Sequence, residues 1–511
     1  MKNLKWKKAG SAVLATALAG SMVLPATAYA QGEIVQLEGG TSTQTNTAPE
    51  QVFLNKYSGT VRTQNFNDNW KFYLGDASGA QTPAFDDSSW DQVNLPHDYS
   101  IDQKYNRSMD GESGYLPGGT GWYRKSFTVD KSLEGKRISI DFGGVYMNAT
   151  IYVNGKKLGT HPYGYTPFSF DITDNVKFGK ENVIAVKVDH QTPSSRFYSG
   201  SGIYRDVDFV VTDTVHVDKN GTKIETPDLK EHVDGNNVAV KVKTTVVNES
   251  ERDASVKVKH TIYPKNGTAE QAVATFESQE AVAVEKGKSK DVSADFTASG
   301  VQLWSTTTPN LYTVKTEVLM DGATVDTYET DYGFRYFAFD KNNGFTLNGQ
   351  KMKLQGVCMH HDQGALGSVA NDRSTERQVE ILKMMGCNSI RVTHNPASDE
   401  LIDACNKHGI LVIDEAFDGW VAPKNGNSND YAKWFNKEIE SDNEIMGAAD
   451  NMTWAQFDLT AMIERGQNDP AIIMWSLGNE MWEGTGGYSA AYKTAQDNLV
   501  KWHRRRILHD R

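Results

Sequence analysis

Cysteine is nearly absent. The 511-residue chain carries three, Cys358, Cys387 and Cys405, all in its last third and none in C-x-x-C spacing. So odd and sparse a set argues against a disulfide framework, and all three are expected as buried small hydrophobes. Long apolar runs are scarce too: beyond residue 24 no stretch approaches the ~20 apolar residues of a spanning helix, and no membrane span is expected. Positive charge is in short supply, with 53 Lys and Arg against 65 Asp and Glu, a formal net charge of −12. That balance argues against nucleic acid or an anionic membrane as partner. No G-x-S-x-G, P-loop or Rossmann fingerprint stands in a supporting context. Aromatic residues, by contrast, are plentiful (11 Trp, 21 Tyr, 20 Phe), enough for cores and for sugar-stacking surfaces.

The first residues read as a secretory signal. Lys2, Lys5, Lys7 and Lys8 form a basic start, Ala9 to Leu24 an apolar stretch, and Ala28-Tyr29-Ala30 an A-x-A cleavage site. Cleavage near Ala30 removes those four lysines, takes the formal charge from −12 to −16, and implies a secreted or cell-surface protein. Residues 31–51 are a polar, flexible leader.

Residues 52–212 then alternate with period two. "RISIDF" puts Ile138, Ile140 and Phe142 on one face, "NVIAVKV" repeats the pattern through Ile184, Val186 and Val188, and Asn154-Gly155 marks a two-residue hairpin. No helical pattern interrupts, which predicts an all-β sandwich or jelly roll. Residues 213–334 continue in strands such as "NNVAVKVKTTVV", punctuated by Lys265-Asn266-Gly267 and Asp321-Gly322, at a size that suits an immunoglobulin-like sandwich.

From residue 335 the period changes. "MKLQGVCMH", "NSIRVTH", "ILVIDEAF" and "IIMWSLGNE" are apolar strands that end on polar residues. Helical patterns separate them: one capped by Thr375 and Gln378 and ended by Gly386, one from Ser398 to Gly409, one in "TWAQFDLTAMIERG", and a fourth in "YSAAYKTAQDNLVKWH". This repetition is the pattern of a (β/α)₈ barrel. Residues 335–511 supply about four of its eight units, so the expected fold is multidomain: a β jelly roll, an immunoglobulin-like sandwich and an incomplete TIM barrel.

The strand ends carry the candidate chemistry. Glu480 closes a nonpolar strand, and desolvation beside Trp475 and Trp482 is expected to raise its pKa, as suits a general acid. His360, His361 and Asp362 end the first barrel strand, Arg391 and His394 the second, and Asp414 and Glu415 the third; the last two read as structural partners of Arg391 or supporting groups. No H-x₃₋₅-H spacing supports a metal.

"NSIRVTHNPASDELIDACNKHGILVIDEAFDGW" and "NDPAIIMWSLGNE" resemble the two signatures of glycoside hydrolase family 2, the β-galactosidase, β-glucuronidase and β-mannosidase group. "LPHDYS", "GGTGWYRKSF", "GGVYMNATIYVNGKKLG", "HPYGYTPFSFDIT" and "SSRFYSGSGIYRDV" resemble its N-terminal sugar-binding jelly roll. "GVCMHHDQGALG" is most similar to exported Gram-positive β-galactosidases. The resemblance spans about residues 62–500. It implies hydrolysis of terminal β-D-galactosyl residues by a retaining double displacement, with Glu480 as acid/base, Asn479 on the 2-hydroxyl, and His360, Asp362 and His394 on the sugar. It implies β-galactoside sugars or glycans as partners and requires no cofactor, leaving a structural or activating Mg or Na ion open. A β-glucuronidase and a non-catalytic carbohydrate-binding protein are the alternatives. The sequence departs from the family in having Asp469 where His usually precedes the proline. The family's nucleophile, a Glu on a later strand, has no counterpart here, and "WHRRRILHDR" stops resembling it. The expectation is an N-terminal portion of such an enzyme, ended by a frameshift or premature stop and inactive alone.

Overall fold

The computed structural model describes residues 55–59, 61–481 and 497. The signal and leader, Trp482, the basic ending and, apart from Asp497, the expected fourth helix lie outside them. The jelly roll stacks two sheets. One runs in the order Asp91–Val93, Trp70–Leu74, Gly119–Val129, Glu181–His190, Ala149–Val153 and Lys156–His161, with Lys56–Tyr57 added alongside Gly119–Val129. The other runs Phe168–Asp171, Arg137–Phe142, Val207–Thr212 and Thr63–Asn65. Alternation produces this directly: Ile138, Ile140, Phe142, Ile184, Val186 and Val188 are all fully buried between the sheets. The hairpin turns at Asn154 (φ 50°) and Gly155 (φ 89°), the pair of positive φ values that a two-residue type I′ turn requires.

The second domain is also two-layered. Val215–Glu225, Val238–Asn248 and Lys288–Ala298 form one sheet, and Ala254–Pro264, Tyr312–Met320 and Ala323–Tyr332 with two short strands form the other. Among the described residues the third domain contributes four parallel strands, β1 (Gly356–Met359), β2 (Ser389–Val392), β3 (Leu411–Glu415) and β4 (Ile472–Ser476), paired in that order. Helices α1 (Asp372–Met384), α2 (Asp399–His408) and α3 (Trp454–Gly466) connect them. Ser398 caps α2 and Gly409 (φ 67°) ends it, while Thr453 and Gln456 form a capping box on α3.

Two expectations need correction. The cap of α1 is Asn371, whose side chain accepts from the Ser374 amide; Thr375 lies inside the helix, buried, its hydroxyl accepting from Gln363 Nε2 at 3.0 Å. Asn caps a helix as well as Thr does, and Asp372 behind it suits the positive helix end. Of the cysteines only Cys405 is buried; Cys387 is half-buried and Cys358 is exposed. Cys358 sits on β1, the outer strand of the parallel sheet, where among the described residues only β2 pairs with it.

The jelly roll and the barrel share one core. The segment between β3 and α3 folds back onto the jelly roll, and Phe417, Trp420, Tyr431, Phe435, Ile445 and Trp454 join the same buried cluster as Phe142, Phe168 and Phe170. Each large apolar side chain so buried stabilises by about 1.5–3 kcal/mol. Asp458 of α3, itself fully buried, ties the domains together. It accepts from His161 Nε2 at 2.9 Å, from the Thr166 hydroxyl at 2.5 Å and from the Tyr431 hydroxyl.

Buried titratable groups tie stability to pH, and two show the opposite signs. His190 lies between the Ser201 and Ser194 hydroxyls (2.6 and 2.9 Å), and burial pulls its pKa from 6.5 to about 4. Below pH 6.5 the unfolded chain takes a proton that the folded one refuses, so stability falls as pH drops towards 4. Glu400 is 9% exposed, and burial, then the charge of Asp399, raises it from 4.5 to about 7. The folded state there keeps a proton that the unfolded chain has lost, so stability falls as pH rises from 4.5 to 7. Each limb is on the order of 3 kcal/mol. Asp208 and Asp403, raised by desolvation to about 7 and about 8, act in the same direction as Glu400, so the thermal melting temperature should fall as pH rises from about 5 to 7. Glu400→Gln should make that fall shallower without abolishing it, and leave the His190 limb in place.

Candidate active site

The parallel strands deliver polar side chains to their C-terminal ends. Glu415, the last residue of β3, has a fully buried side chain and is the hub. It accepts from Arg391 Nη2 at 2.8 Å, His394 Nδ1 at 2.8 Å and the Ser476 hydroxyl at 2.6 Å. Burial alone would raise its pKa; the bonds from His394, Ser476 and Arg391 outweigh that and hold it below the ordinary value. Arg391 donates again to Asn479 Oδ1 at 3.1 Å, and Nδ2 of Asn479, 4% exposed, donates to Asp418 Oδ1 at 3.0 Å. His394 follows a cis peptide at Thr393, and its ring stands edge-on to His360, with centroids 5.4 Å apart. Burial, then His394, pulls the His360 pKa down.

Glu480 lies just past β4, and the desolvation expected of it is not there. Its side chain is 68% exposed, because the strand stops at Ser476 and the backbone turns outward, with Glu480 at φ 43°. Trp475 packs instead against the hydrophobic cores. A non-glycine residue in the left-handed region is strained and needs to be held. Lys424 does this: 6% exposed, its ammonium donates to the carbonyls of Asn479 (2.7 Å) and Glu480 (3.0 Å). Trp420 Nε1 donates to the Leu477 carbonyl at 3.0 Å, and the Asn479 amide to the Phe417 carbonyl at 3.0 Å.

The jelly roll completes the mouth. Arg196 forks onto Asp418, with Nε and Nη2 at 2.9–3.2 Å from its oxygens, and sends Nη1 to Glu480 Oε2 at 2.9 Å. The Phe197 ring lies 4.5 Å from His360 and 5.9 Å from His394, centroid to centroid. The loop is anchored by Asn427 Nδ2 on the Ser195 carbonyl (2.9 Å) and by His190 on Ser194. A cavity of about 30 Å³ behind Asp418, walled by Tyr163, Tyr165 and Phe417, has room for about one water. It is too small to hold a sugar ring.

The structure thus brings His360, His394, Asn479 and Glu480 together. Asp362 is exposed beside them, with its carbonyl accepting from Gln378. His361 turns away to lie 5.0 Å from the Tyr165 ring, and burial drives its pKa well down. Asp414 stays out of the site, bound to Arg465 Nη2 at 2.8 Å. The sequence reading missed Arg196, Phe197, Asp418 and Lys424. Its signal for the first two was a charged and an aromatic residue inside the Ser/Gly-rich stretch "SSRFYSGSG", 284 positions from Glu480. Among the described residues, one set of His, Asp and Glu ligand atoms lies close enough to hold a metal: Glu376, Glu380 and His408, on α1 and the end of α2. Arg373, Lys407 and His408 already satisfy those carboxylates.

Three models of one family match the chain in order. Residues 63–213 match the sugar-binding domain of glycosyl hydrolases family 2, 222–335 the model named for the family itself, and 340–507 its TIM barrel domain. A β-galactosidase of Bacteroides ovatus is 42% identical over 421 residues, 82% of this chain and 46% of that protein. A putative β-glucuronidase of Formosa agariphila is 36% identical over 81% of this chain and 37% of its own length. Among solved structures, a family 2 member from Bacteroides cellulosilyticus superposes with a TM-score of 0.78 at 37% identity, over 86% of this chain and 54% of that one. The chain spans about half the length of the relatives it matches. With three consecutive domain matches and a site at the barrel strand ends, the chain belongs to glycoside hydrolase family 2.

Proposed function

We propose that the site is the acid/base half of a retaining β-galactosidase, working outside the cell. The observation that carries it is Glu480: an accessible carboxylate at the mouth of β4, its backbone clamped by Lys424 and its oxygen held by Arg196. In this reading Glu480 gives its proton to the glycosidic oxygen as the C1–O bond breaks, then takes one from the water that frees the sugar. Asn479, fixed from both sides by Arg391 and Asp418, faces the 2-hydroxyl. His360, His394 and Phe197 supply the wall against which the sugar ring lies. The 42% identity to a β-galactosidase supports galactose; a relative named as a β-glucuronidase, at 30%, keeps a uronic acid as second reading.

Titrating the purified chain with methyl β-galactoside and methyl β-glucuronide tests this. The galactoside should bind and lose roughly tenfold or more in Asn479→Ala, the size of a lost hydrogen bond to a buried group. Tighter binding of the glucuronide would move the assignment to a β-glucuronidase.

A further inference from the structure

The jelly-roll loop 101–118 borders the mouth, and the residues assigned above make no use of it. Two anchors place it against the groups that grip Glu480. The Asn425 side chain donates to the Glu112 carboxylate, and Asn425 adjoins Lys424, which holds the Glu480 carbonyl. Gly114 backs onto the Tyr198 ring, where an added Cβ would stand 3.7 Å from Cδ2, and Tyr198 is two residues from Arg196, the ion-pair partner of Glu480. On the barrel side, Gly367 packs against Ile101.

Held this way, the loop leaves two large rings in water: Tyr115 is 50% exposed and Tyr105 77%. Tyr115 also sits at φ 61°, a backbone conformation that a tyrosine rarely adopts and that gathers at functional sites. Its hydroxyl end reaches over Gly111, where an added Cβ would come within 3.1 Å of it, so the glycine leaves the ring room to lie across the loop. An acid that protonates the glycosidic oxygen from the mouth has the leaving group on its open, solvent side. For Glu480 that side is bordered by the residues that anchor this loop.

We propose that Tyr115, with Tyr105 on the same loop, is the stacking platform for the leaving group of the β-galactoside, selecting flat or sugar-ring aglycones over small ones. The proposal rests on the β-galactoside reading above and adds to it a specificity residue from the first domain. A flat ring stacked on the face of an aromatic side chain gains about 0.5–1.5 kcal/mol beyond its area burial.

The test is equilibrium binding of methyl β-galactoside and phenyl β-galactoside to the purified chain and its variants. The phenyl ligand should bind about tenfold more tightly than the methyl one. Tyr115→Ala should erase that advantage and leave methyl β-galactoside unchanged, Tyr115→Phe should keep it, and Tyr105→Ala should reduce it. Retention of the full advantage in the Tyr105→Ala, Tyr115→Ala double variant overturns the platform. So does an equal loss for both ligands in Tyr115→Ala with an unchanged circular dichroism spectrum. Binding of neither ligand to the unsubstituted chain overturns the β-galactoside reading, and the platform with it.

Discussion

Asp458→Ala should destabilise the chain by about 3–5 kcal/mol, the cost of breaking a buried, charge-assisted network by removing one partner. The carboxylate is fully buried and is the shared acceptor of His161 and Thr166 from the jelly roll and Tyr431 from the segment that packs on it. Its loss leaves three buried donors with no acceptor at the seam between two domains. Tyr431→Phe removes one of the three hydrogen bonds and should cost only about 1–2 kcal/mol. Chemical denaturation followed by tryptophan fluorescence checks both, because Trp454 lies at the same seam. Equal, small effects from the two substitutions would mean that the domains are joined by their apolar contact alone. The functional consequence follows from the fold: the jelly roll carries Arg196 and Phe197, so loosening the seam should also loosen the mouth.

The second large effect is an absence of turnover. A retaining glycosidase needs a second carboxyl group about 5–5.5 Å from its acid/base. Among the described residues, the carboxylates nearest in the bonding network are Asp418 and Glu415. Asp418 is held by the Arg196 fork and by Asn479. Glu415 is fully buried and takes Arg391, His394 and Ser476 at once. Neither is free to attack an anomeric carbon, and Asp362, the exposed carboxylate beside His360, is assigned to sugar binding. The purified chain should therefore hydrolyse 4-nitrophenyl β-galactoside no faster than its Glu480→Gln variant, with no burst of nitrophenol, while still binding galactosides. Turnover that Glu480→Gln abolishes would show that a carboxylate in this chain does serve as nucleophile; Asp418→Asn would then be the first variant to examine.

Much of this architecture was legible from local pattern. Period-two alternation placed Ile138, Ile140 and Phe142 in the core, and Ser398 and Gly409 marked helix ends, because these signals act over a few residues. At α1 the capping-box pattern of Thr375 and Gln378 set the start four residues too late, although Asn371 is at least as good a cap. The strand-end residues were legible for the same local reason: an apolar strand that stops on His, Asn or Glu presents it at one end of the sheet. What failed was everything set by distance in the chain. The environment of Glu480 was misjudged because the turn after Ser476 and the grip of Lys424, 56 residues earlier, decide its exposure. Arg196 left no periodic trace, since it stands in an irregular loop and meets Glu480 only once the two domains have packed. Cys358 was read as buried from residue type, but its burial depends on what covers the outer strand.

The central claim is that a β-galactoside sits at the mouth of β4, between the barrel strand ends and the Arg196 loop. A crystal structure of the chain with a non-hydrolysable β-thiogalactoside tests it most directly. The account predicts the glycosidic sulfur beside the Glu480 carboxylate, the 2-hydroxyl on Asn479, and the sugar ring against His360, His394 and Phe197. A sugar seated instead on an outer face of the jelly roll, with the β4 mouth left to solvent, would contradict it and make the chain a carbohydrate-binding protein.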